Sequence, residues 1–252
     1  MKLPTETEDQ KYLREKGLTP KAVVVLSGDM DSTTALYVAR FRRYDLYAIS
    51  FDYGQRHKKE LDYAKKIAKE VGVKEHHIVD LTSITELISN SSLTNKGIDV
   101  PEGHYAAENM KLTVVPNRNM IMYSVAIGYA VNIKAKYMYV GVHTGDHFIY
   151  PDCREEFIHS LAKTARVGNE GFIDKNFRII APFLYKSKAE IAKIGSQLGV
   201  PYELTWSCYK GGEKHCGKCG TDVERKEAFR LAQVPDPTEY EDETGVYRGN
   251  NP

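Results

Sequence analysis

The sequence predicts an α/β fold, a parallel sheet with helices on both faces, followed by a small C-terminal lobe built on a cysteine cluster. Short apolar runs such as 22–26 (AVVVL) alternate with helix-patterned stretches, which is typical of such a sheet. A loop rich in Ser, Gly and Asp joins the first run to the first long helix. Three of the four cysteines, Cys208, Cys216 and Cys219, gather near the C-terminus.

Strand segments are short and separated by helical patterns. The run at 22–26 is β-branched, as expected of a buried strand, and the segment at 75–79 carries the weakest strand signal. The strands are expected at 22–26, 46–51, 75–79, 137–142 and 178–180.

Helices are expected where apolar residues recur at helical spacing. Over 58–71 the residues Leu61, Ala64, Ile67 and Ala68 share one face, and Gly72 marks the end of this helix. The irregular segment 82–115 is interpreted as helical fragments and a mobile insertion. A helix that contains Ala35, Leu36, Val38 and Ala39 is expected after the loop. Further helices are expected at 119–133, at 152–164 and at 187–198, the last ended by Gly199.

Composition indicates a globular chain with a core of ordinary size. The 252 residues are 42% hydrophobic, which allows one large or two small domains. We expect a polar N-terminal extension over 1–20, an α/β domain over 21–200, the cysteine lobe over 201–232 and a loosely packed acidic tail over 233–252.

Charge argues against a nucleic-acid partner. Lys and Arg number 35 against 34 Asp and Glu, whereas nucleic-acid binders usually carry a clear basic excess, although a local basic patch can hide in a neutral total. No apolar run approaches the ~20 residues of a membrane span, and the N-terminus lacks the apolar core of a signal peptide. We therefore expect a cytoplasmic protein with no membrane partner.

The segment 25–34 (VLSGDMDSTT) is the strongest single feature. It leaves a strand and enters a helix, whose N-terminal amides and dipole attract anions. Gly28 allows close backbone approach, and Asp31 is a candidate ligand for the Mg²⁺ of a polyphosphate. Hydroxyl donors are available from Ser27, Ser32 and Thr33. The alternative is a turn in which Ser27 or Asp31 merely caps the helix.

The cysteine cluster has the spacing of a structural zinc site. Cys216 and Cys219 form a CxxC turn, and Cys208 is a third candidate ligand. Asp222 stands where CxxCxxC spacing places a fourth thiolate, and His215 is a weaker candidate. In the alternatives, the CxxC is a redox pair, or Asp222 begins a helix and pairs with Arg225 or Lys226.

The loop and several other segments carry a family resemblance. The loop is similar to the SGGxDS loop of the PP-loop ATP pyrophosphatases, and the CxxCxxCxxR pattern, with Asp222 at its third cysteine, resembles the 7-cyano-7-deazaguanine synthases. The other matching segments are 51–57 (FDYGQRH), 115–119 (VPNRN), 141–154 (GVHTGDHFIYPDCR) and 181–190 (APFLYKSKAE). The similarity runs from about residue 21 to about residue 240.

This resemblance implies a Rossmann-like adenine nucleotide alpha hydrolase (PP-loop) fold, with ATP bound by the 21–200 domain, Mg²⁺, a structural zinc and a homodimer. The family converts 7-carboxy-7-deazaguanine and ammonia to 7-cyano-7-deazaguanine, a queuosine and archaeosine precursor, and releases AMP and pyrophosphate. The carboxylate is adenylated first and the amide second.

The implied site residues fall into four groups. Leu26, Ser27, Gly28, Asp29, Met30, Asp31, Ser32, Thr33 and Thr34 form the ATP loop. Asp31, Ser32, Lys188 and Arg118 are the catalytic candidates. Tyr53, Arg56, Asn119, Asp146, Tyr150, Asp152 and Arg154 are the substrate-binding candidates. Cys208, Cys216, Cys219 and Asp222 are the zinc ligands.

Several of these residues have plainer alternatives. Lys188 can be a solvated lysine on a helix face, and Arg118 can form a structural salt bridge. Asp152 can cap the helix that follows it. Cys153 is interpreted as a packed core thiol, because the chemistry requires no nucleophile there.

Two positions depart from the family motifs, Asp29 at the second glycine of the loop and Asp222 at a cysteine. Asp tolerates left-handed backbone angles, so the turn can survive. At ~6 Å and an effective dielectric of ~20, its charge would repel a phosphate oxygen by about 3 kcal/mol, roughly a hundredfold in affinity. These departures keep two alternatives open: a ligase that stops at the amide or uses another amine, and a nucleotide- or base-binding protein without turnover.

Overall fold

The computed structural model describes residues 8–88, 90–95, 97–103 and 110–249, and it contains a five-stranded parallel sheet. The strand order is β3-β2-β1-β4-β5. The strands are β1 (Lys21–Val25), β2 (Asp45–Asp52), β3 (Glu75–Asp80), β4 (Tyr137–Tyr139) and β5 (Arg178–Ile180). The predicted α/β class and the predicted set of strands are confirmed.

Helices connect the strands along the chain. They are α1 (Glu8–Glu15), α2 (Met30–Phe41), α3 (Lys59–Val71), α4 (Arg118–Asn132), α5 (Glu155–Gly168), α6 (Lys188–Leu198) and α7 (Gly220–Ala232). Gly72 and Gly199 end α3 and α6 in the left-handed conformation, as their positions in the sequence predicted. Within the described part of the insertion, short 3₁₀ turns form at Thr82–Ile88 and Lys111–Thr113.

Two predicted boundaries were wrong. Strand β4 ends at Tyr139 rather than at residue 142, because β5 pairs with only three residues of it and the chain then turns toward α2. Helix α5 begins at Glu155 rather than at residue 152, because Pro151–Cys153 forms a separate 3₁₀ turn that starts with proline.

The sheet order creates a crevice at the carboxyl ends of β1 and β4. Strand β1 lies in the middle of the sheet, and the chain moves from it to β2 and β3 on one side before returning to β4 and β5 on the other. At such a switch point the loops that leave neighbouring strands diverge, and ligands bind between them. The loop that follows β1 therefore lies at the mouth of the crevice.

Two glycines allow backbone segments to meet around this crevice. Gly28 has φ +92°, and a Cβ placed there would lie 2.2 Å from the carbonyl oxygen of Glu60 on α3. Gly141 follows β4, and its Cβ would lie 2.8 Å from the amide nitrogen of Ser32 on α2. Because glycine has no side chain, α3 can pack against the β1–α2 loop at Gly28. In the same way, the segment after β4 can pack against the start of α2 at Gly141.

The described part of the tail is packed, in contrast to the loose tail expected from its prolines and acids. Asp236, Thr238 and Tyr240 are buried, and the Asp236 carboxylate accepts from the Tyr240 hydroxyl at 2.7 Å. The fully buried Arg225 of α7 donates to Thr238 at 2.9 Å and lies 3.8 Å from Asp236. Composition predicted loose packing, but this buried charge pair holds the segment against the lobe.

Among the described residues, no helix combines the length and the apolar character that a membrane crossing requires.

We predict that Gly28→Ala destabilises the fold by roughly 3 kcal/mol or more, because α3 must move away from the new methyl group. Gly72→Ala is the matched control: Gly72 has φ +72° and nothing within 4 Å of an added Cβ. It should cost only about 1 kcal/mol of backbone strain. Urea unfolding of both variants measures the difference, and equal costs would contradict the close approach.

Candidate active site

An open cleft lies at the carboxyl edge of the sheet, with an empty volume of about 1180 Å³. One end, called the loop end here, is formed by polar residues of the β1–α2 loop and by side chains of α6 and α7. The other, the aromatic end, is formed by α4 and the loops after β2 and β4. Lining residues at the loop end include Ser27, Asp29, Asp31, Ser32, Lys188 and Glu224, and those at the aromatic end include Tyr53, Arg118, Asn119, Tyr123, Tyr150 and Tyr209.

Asp29 is the N-cap of α2. Its backbone is extended, with φ −78° and ψ 177°, so this position does not need the left-handed turn that a glycine motif suggested. Its Oδ1 atom accepts hydrogen bonds from the Ser32 amide at 2.8 Å and from the Ser32 hydroxyl at 2.6 Å. The Asp29 carboxylate thus lies at the positive end of the α2 dipole.

Ser27 and Ser32 link the two sides of the loop. Their hydroxyl oxygens are 2.8 Å apart, and the Ser27 amide donates to Ser32 Oγ at 3.1 Å. The chain therefore turns tightly between β1 and α2, with both hydroxyls and the first amides of the helix beside the cleft. Amides and hydroxyls in this arrangement are the donors that an anion-binding site uses.

A buried charge network surrounds Lys188 at the loop end. Lys188 Nζ donates to Asp31 Oδ2 and lies 3.4 Å from Glu224 Oε2 and 3.4 Å from His143 Nε2. Burial by itself would lower the pKa of Lys188, but Asp31 and Glu224 outweigh burial and raise it. Lys188 is therefore charged, and its side chain is only 16% exposed. The alternative of a solvated helix-face lysine is wrong.

One carboxylate oxygen in this network has no partner. Asp31 Oδ1 is buried and accepts no hydrogen bond from any described residue, while Oδ2 is held by Lys188. Leaving a buried charged oxygen unpaired is costly, so such an oxygen is a candidate position for a bound ion or water. A hard cation such as Mg²⁺ suits a carboxylate oxygen beside a phosphate site.

At the aromatic end, Arg118 lies over the ring of Tyr53. Its guanidinium carbon is 5.7 Å from the ring centroid, and Nη1 donates to the Tyr53 hydroxyl at 3.4 Å. Burial raises the pKa of Tyr53 to about 12, so the hydroxyl stays protonated. Arg118 lines the cleft, and no carboxylate of the described residues lies within ion-pair distance of it.

Asn119 and Cys153 meet on the floor of the aromatic end. The Asn119 side-chain nitrogen donates to the Cys153 sulfur at 3.4 Å. Burial raises the pKa of the Cys153 thiol well above its usual range, so the sulfur is not a thiolate nucleophile. This agrees with the interpretation of Cys153 as a packed core thiol.

The cysteine cluster of the C-terminal lobe forms a compact set of metal ligands. The ligand atoms of Cys208, Cys216, Cys219 and Asp222 all lie within 4.8 Å of one another. The Cys216 sulfur accepts from the amides of Lys218 at 3.4 Å and Cys219 at 3.3 Å, which stabilises a thiolate. Three sulfurs and a carboxylate are the chemistry of a tetrahedral zinc site.

Asp222 has the features expected of a metal ligand. One of its oxygens accepts from the Gly217 amide at 2.9 Å, and the other is buried without a partner among the described residues. Burial raises its pKa to about 7, so a bound cation would favour the charged form of this carboxyl. It does not pair with Arg225 or Lys226, which bind Asp236 and backbone carbonyls of the lobe instead.

Comparison with known proteins identifies the family. A family model described as "Queuosine biosynthesis protein QueC" matches residues 21–233. The chain belongs to this family. It is 51% identical over 224 residues to the 7-cyano-7-deazaguanine synthase of Pseudoalteromonas atlantica, which covers 89% of the chain and all of that protein. It is 51% identical over 222 residues to the enzyme of the same name from Brucella anthropi, covering 88% of the chain and 94% of that protein.

Several residues implied by the QueC resemblance lie together in the cleft. From the loop these are Leu26, Ser27, Asp29, Asp31 and Ser32. From the rest of the chain they are Tyr53, Arg118, Asn119, Asp146, Tyr150 and Lys188. Their roles in binding remain predictions, but the fold brings them from distant parts of the chain to one surface.

Other implied loop residues are not part of the cleft lining. Met30 and Thr33 are completely buried, and the Thr34 hydroxyl donates to the Met30 carbonyl at 2.6 Å and lies 3.0 Å from the Tyr202 hydroxyl. Gly28 packs against α3. The motif matched these residues as a continuous string, but a helix turns successive side chains to different sides.

Three implied substrate-binding residues also lie outside the cleft lining. Arg56 donates to the carbonyls of Asn95 at 2.7 Å and Ile98 at 2.9 Å and so anchors the insertion. Arg154 donates to the His147 carbonyl at 2.8 Å. Asp152 Oδ2 accepts from the Asn119 amide at 3.2 Å, so it supports the start of α4 rather than capping the helix that follows it.

Sequence reasoning missed other members of the site. His143 and Glu224 complete the charge network around Lys188, and His57 and Glu60 form a buried pair 3.3 Å apart in the cleft wall. His143 and His57 fall inside segments matched to the family, which was a usable signal. Glu224 follows Asp222 in α7, and only the packing of α7 against α6 directs it to the loop end.

We predict that Asp222→Ala weakens zinc binding roughly 100-fold or more, because one of four ligands is lost, while Asp222→Cys retains zinc. Glu213→Gln, a fully exposed acid of the same lobe, is the control and should keep the metal. Zinc per chain is measured by atomic absorption after dialysis against a chelator. Full zinc in Asp222→Ala would show that Asp222 is not a ligand.

Proposed function

We propose that this chain catalyses the ATP-dependent conversion of 7-carboxy-7-deazaguanine and ammonia to 7-cyano-7-deazaguanine, with release of AMP and pyrophosphate. The observation that carries the proposal is a single cleft. It places the helix-start loop and the Lys188–Asp31 ion pair at one end and the side chains of Tyr53, Arg118 and Tyr150 at the other. The name of its relatives, about half identical over nearly the whole chain, supports the same reaction.

The chemistry activates one carbon twice. The substrate carboxylate attacks the α-phosphorus of ATP and pyrophosphate leaves; ammonia then attacks the acyl carbon and AMP leaves, giving the amide. The amide oxygen attacks a second ATP, pyrophosphate leaves again, and loss of AMP and a proton gives the nitrile. Each step needs alignment and compensation of phosphate charge more than it needs a protein nucleophile.

The loop end suits the triphosphate. The α2 amides and the hydroxyls of Ser27 and Ser32 would donate to phosphate oxygens, and Lys188 adds a buried positive charge. Asp31 Oδ1, buried and unpaired, would hold Mg²⁺, which supplies further compensation of the polyphosphate charge when bound.

The aromatic end suits the deazaguanine. Tyr53 offers a ring face, and Arg118 above it offers a cation to the substrate carboxylate. Asp146 lines the cleft between the two ends, where its carboxylate would accept from the amino edge of the base. Asn119 and Tyr150 supply further polar atoms. The family resemblance also supports a cytoplasmic homodimer.

We predict two AMP for each nitrile formed when the purified protein is incubated with ATP, ammonium and 7-carboxy-7-deazaguanine. Mass spectrometry of the base and chromatography of the nucleotides measure this ratio. An amide with one AMP would favour a ligase that stops halfway, and binding of the base without AMP release would favour a protein without turnover.

We predict that Lys188→Met lowers the rate of AMP formation by roughly 100-fold or more, because a buried cation beside the phosphates is lost. The variant also leaves Asp31 and Glu224 without their cation, which should cost about 3 kcal/mol of stability. Lys186→Met is the control: its pair with Glu190 at 2.9 Å is partly exposed, so stability should change by less than about 1 kcal/mol. Activity is measured on samples shown to be folded by circular dichroism, and equal activities in the two variants would contradict the role of Lys188.

A further inference from the structure

The donors at the loop end are engaged by carboxylates of the chain itself. The Ser32 amide and hydroxyl both donate to Asp29 Oδ1, at 2.8 Å and 2.6 Å. Lys188 is held by Asp31 and lies 3.4 Å from Glu224. These are the groups that a phosphate at the start of α2 would use.

Asp29 differs from Asp31 and Glu224 in how it is held. Asp31 is 6% exposed and bound to Lys188. Asp29 is half-buried and lines the cleft, and among the described residues its carboxylate hydrogen-bonds to Ser32 alone. The first backbone hydrogen bond of α2, from the Thr33 amide to the Asp29 carbonyl at 3.2 Å, does not involve the carboxylate. The Asp29 side chain can therefore rotate into the cleft while the helix keeps its first turn.

A second observation identifies the same place as a ligand site. Asp31 Oδ1 is buried in the cleft wall next to the loop and has no partner among the described residues. A buried, unpaired carboxylate oxygen is stabilised by a cation, and a polyphosphate binds together with Mg²⁺. The Ser32 donors and Asp31 Oδ1 therefore belong to one site, and Asp29 occupies its anion position.

We propose that Asp29 is an internal competitor for the phosphate chain, and that the nucleotide tail and pyrophosphate bind only when the Asp29 carboxylate leaves Ser32. The proposal rests on the proposed function, since it takes the β1–α2 loop to be the phosphate site. The competition weakens binding of every ligand that carries a phosphate chain and speeds the release of pyrophosphate. Asp29 thus sets the affinity of the loop for a phosphate chain and takes no part in the chemical steps.

The test is calorimetric titration of the full chain with pyrophosphate in the presence of Mg²⁺. In Asp29→Gly both the acceptor and the charge are removed, and we expect the pyrophosphate dissociation constant to fall at least tenfold. Asp29→Asn keeps an acceptor for Ser32 and removes only the charge, so the pyrophosphate dissociation constant should fall by a smaller factor in this variant. Asp62→Asn removes one exposed carboxylate on α3 and should leave the constant unchanged.

A parallel titration with adenosine, which carries no phosphate, controls for changes in the rest of the cleft. The affinity for adenosine should be the same in all variants. Unchanged or weaker pyrophosphate binding in both Asp29 variants would overturn the proposal, since it would mean that Asp29 organises the loop or holds the metal. Because Asp29→Asn preserves the cap, loss of folding in Asp29→Gly alone leaves the test decisive.

The AMP-forming assay separates this inference from the proposed function. If the wild-type chain forms the nitrile and pyrophosphate affinity is unchanged by Asp29→Gly, the competitor role is wrong and the function stands. If no AMP forms but pyrophosphate binds more tightly to both variants, the competitor role stands and the proposed reaction is wrong.

Discussion

The site depends on the ion pair between Lys188 and Asp31, because this contact joins parts of the chain that nothing in sequence places together. Lys188 is the first residue of α6, Asp31 lies in the first turn of α2, and Glu224 reaches the same ammonium group from α7. A buried charge without its partner is costly, so the three helices are held to one mutual arrangement. That arrangement forms the loop end of the cleft.

The C-terminal lobe is part of the cleft rather than an appendage. Asp222, a member of the proposed zinc set, and Glu224 lie in the first turn and a half of α7, so whatever fixes one orients the other. The Trp206 amide donates to the Gly28 carbonyl at 2.9 Å, and Trp206, Ser207 and Tyr209 line the cleft. A metal that stabilises the lobe would therefore also stabilise the position of the β1–α2 loop.

The helical N-terminus of α2 shows how one local geometry serves two purposes. A cap and an anion site use the same amide donors, so the capping turn and the proposed phosphate site are two alternative states of one loop. Capping is confirmed, although by Asp29 rather than by Ser27 or Asp31. The residue at the family's second glycine thus fills a structural role that glycine cannot.

Local pattern and motif order determined the α/β class, the set of strands along the chain, the helix ends at Gly72 and Gly199, the polar turn between β1 and α2 and the cysteine set. They did so because each depends on residues close in sequence or at fixed spacing. Only the tertiary structure decided which residues face the cleft. Some implied residues lie outside the cleft lining: Met30, Thr33, Thr34, Arg56, Asp152 and Arg154. Two residues that the motifs did not assign, His143 and Glu224, lie beside Lys188. The physical reason is that side-chain direction within a motif follows from helix rotation and from the packing of distant elements, which a linear string does not contain.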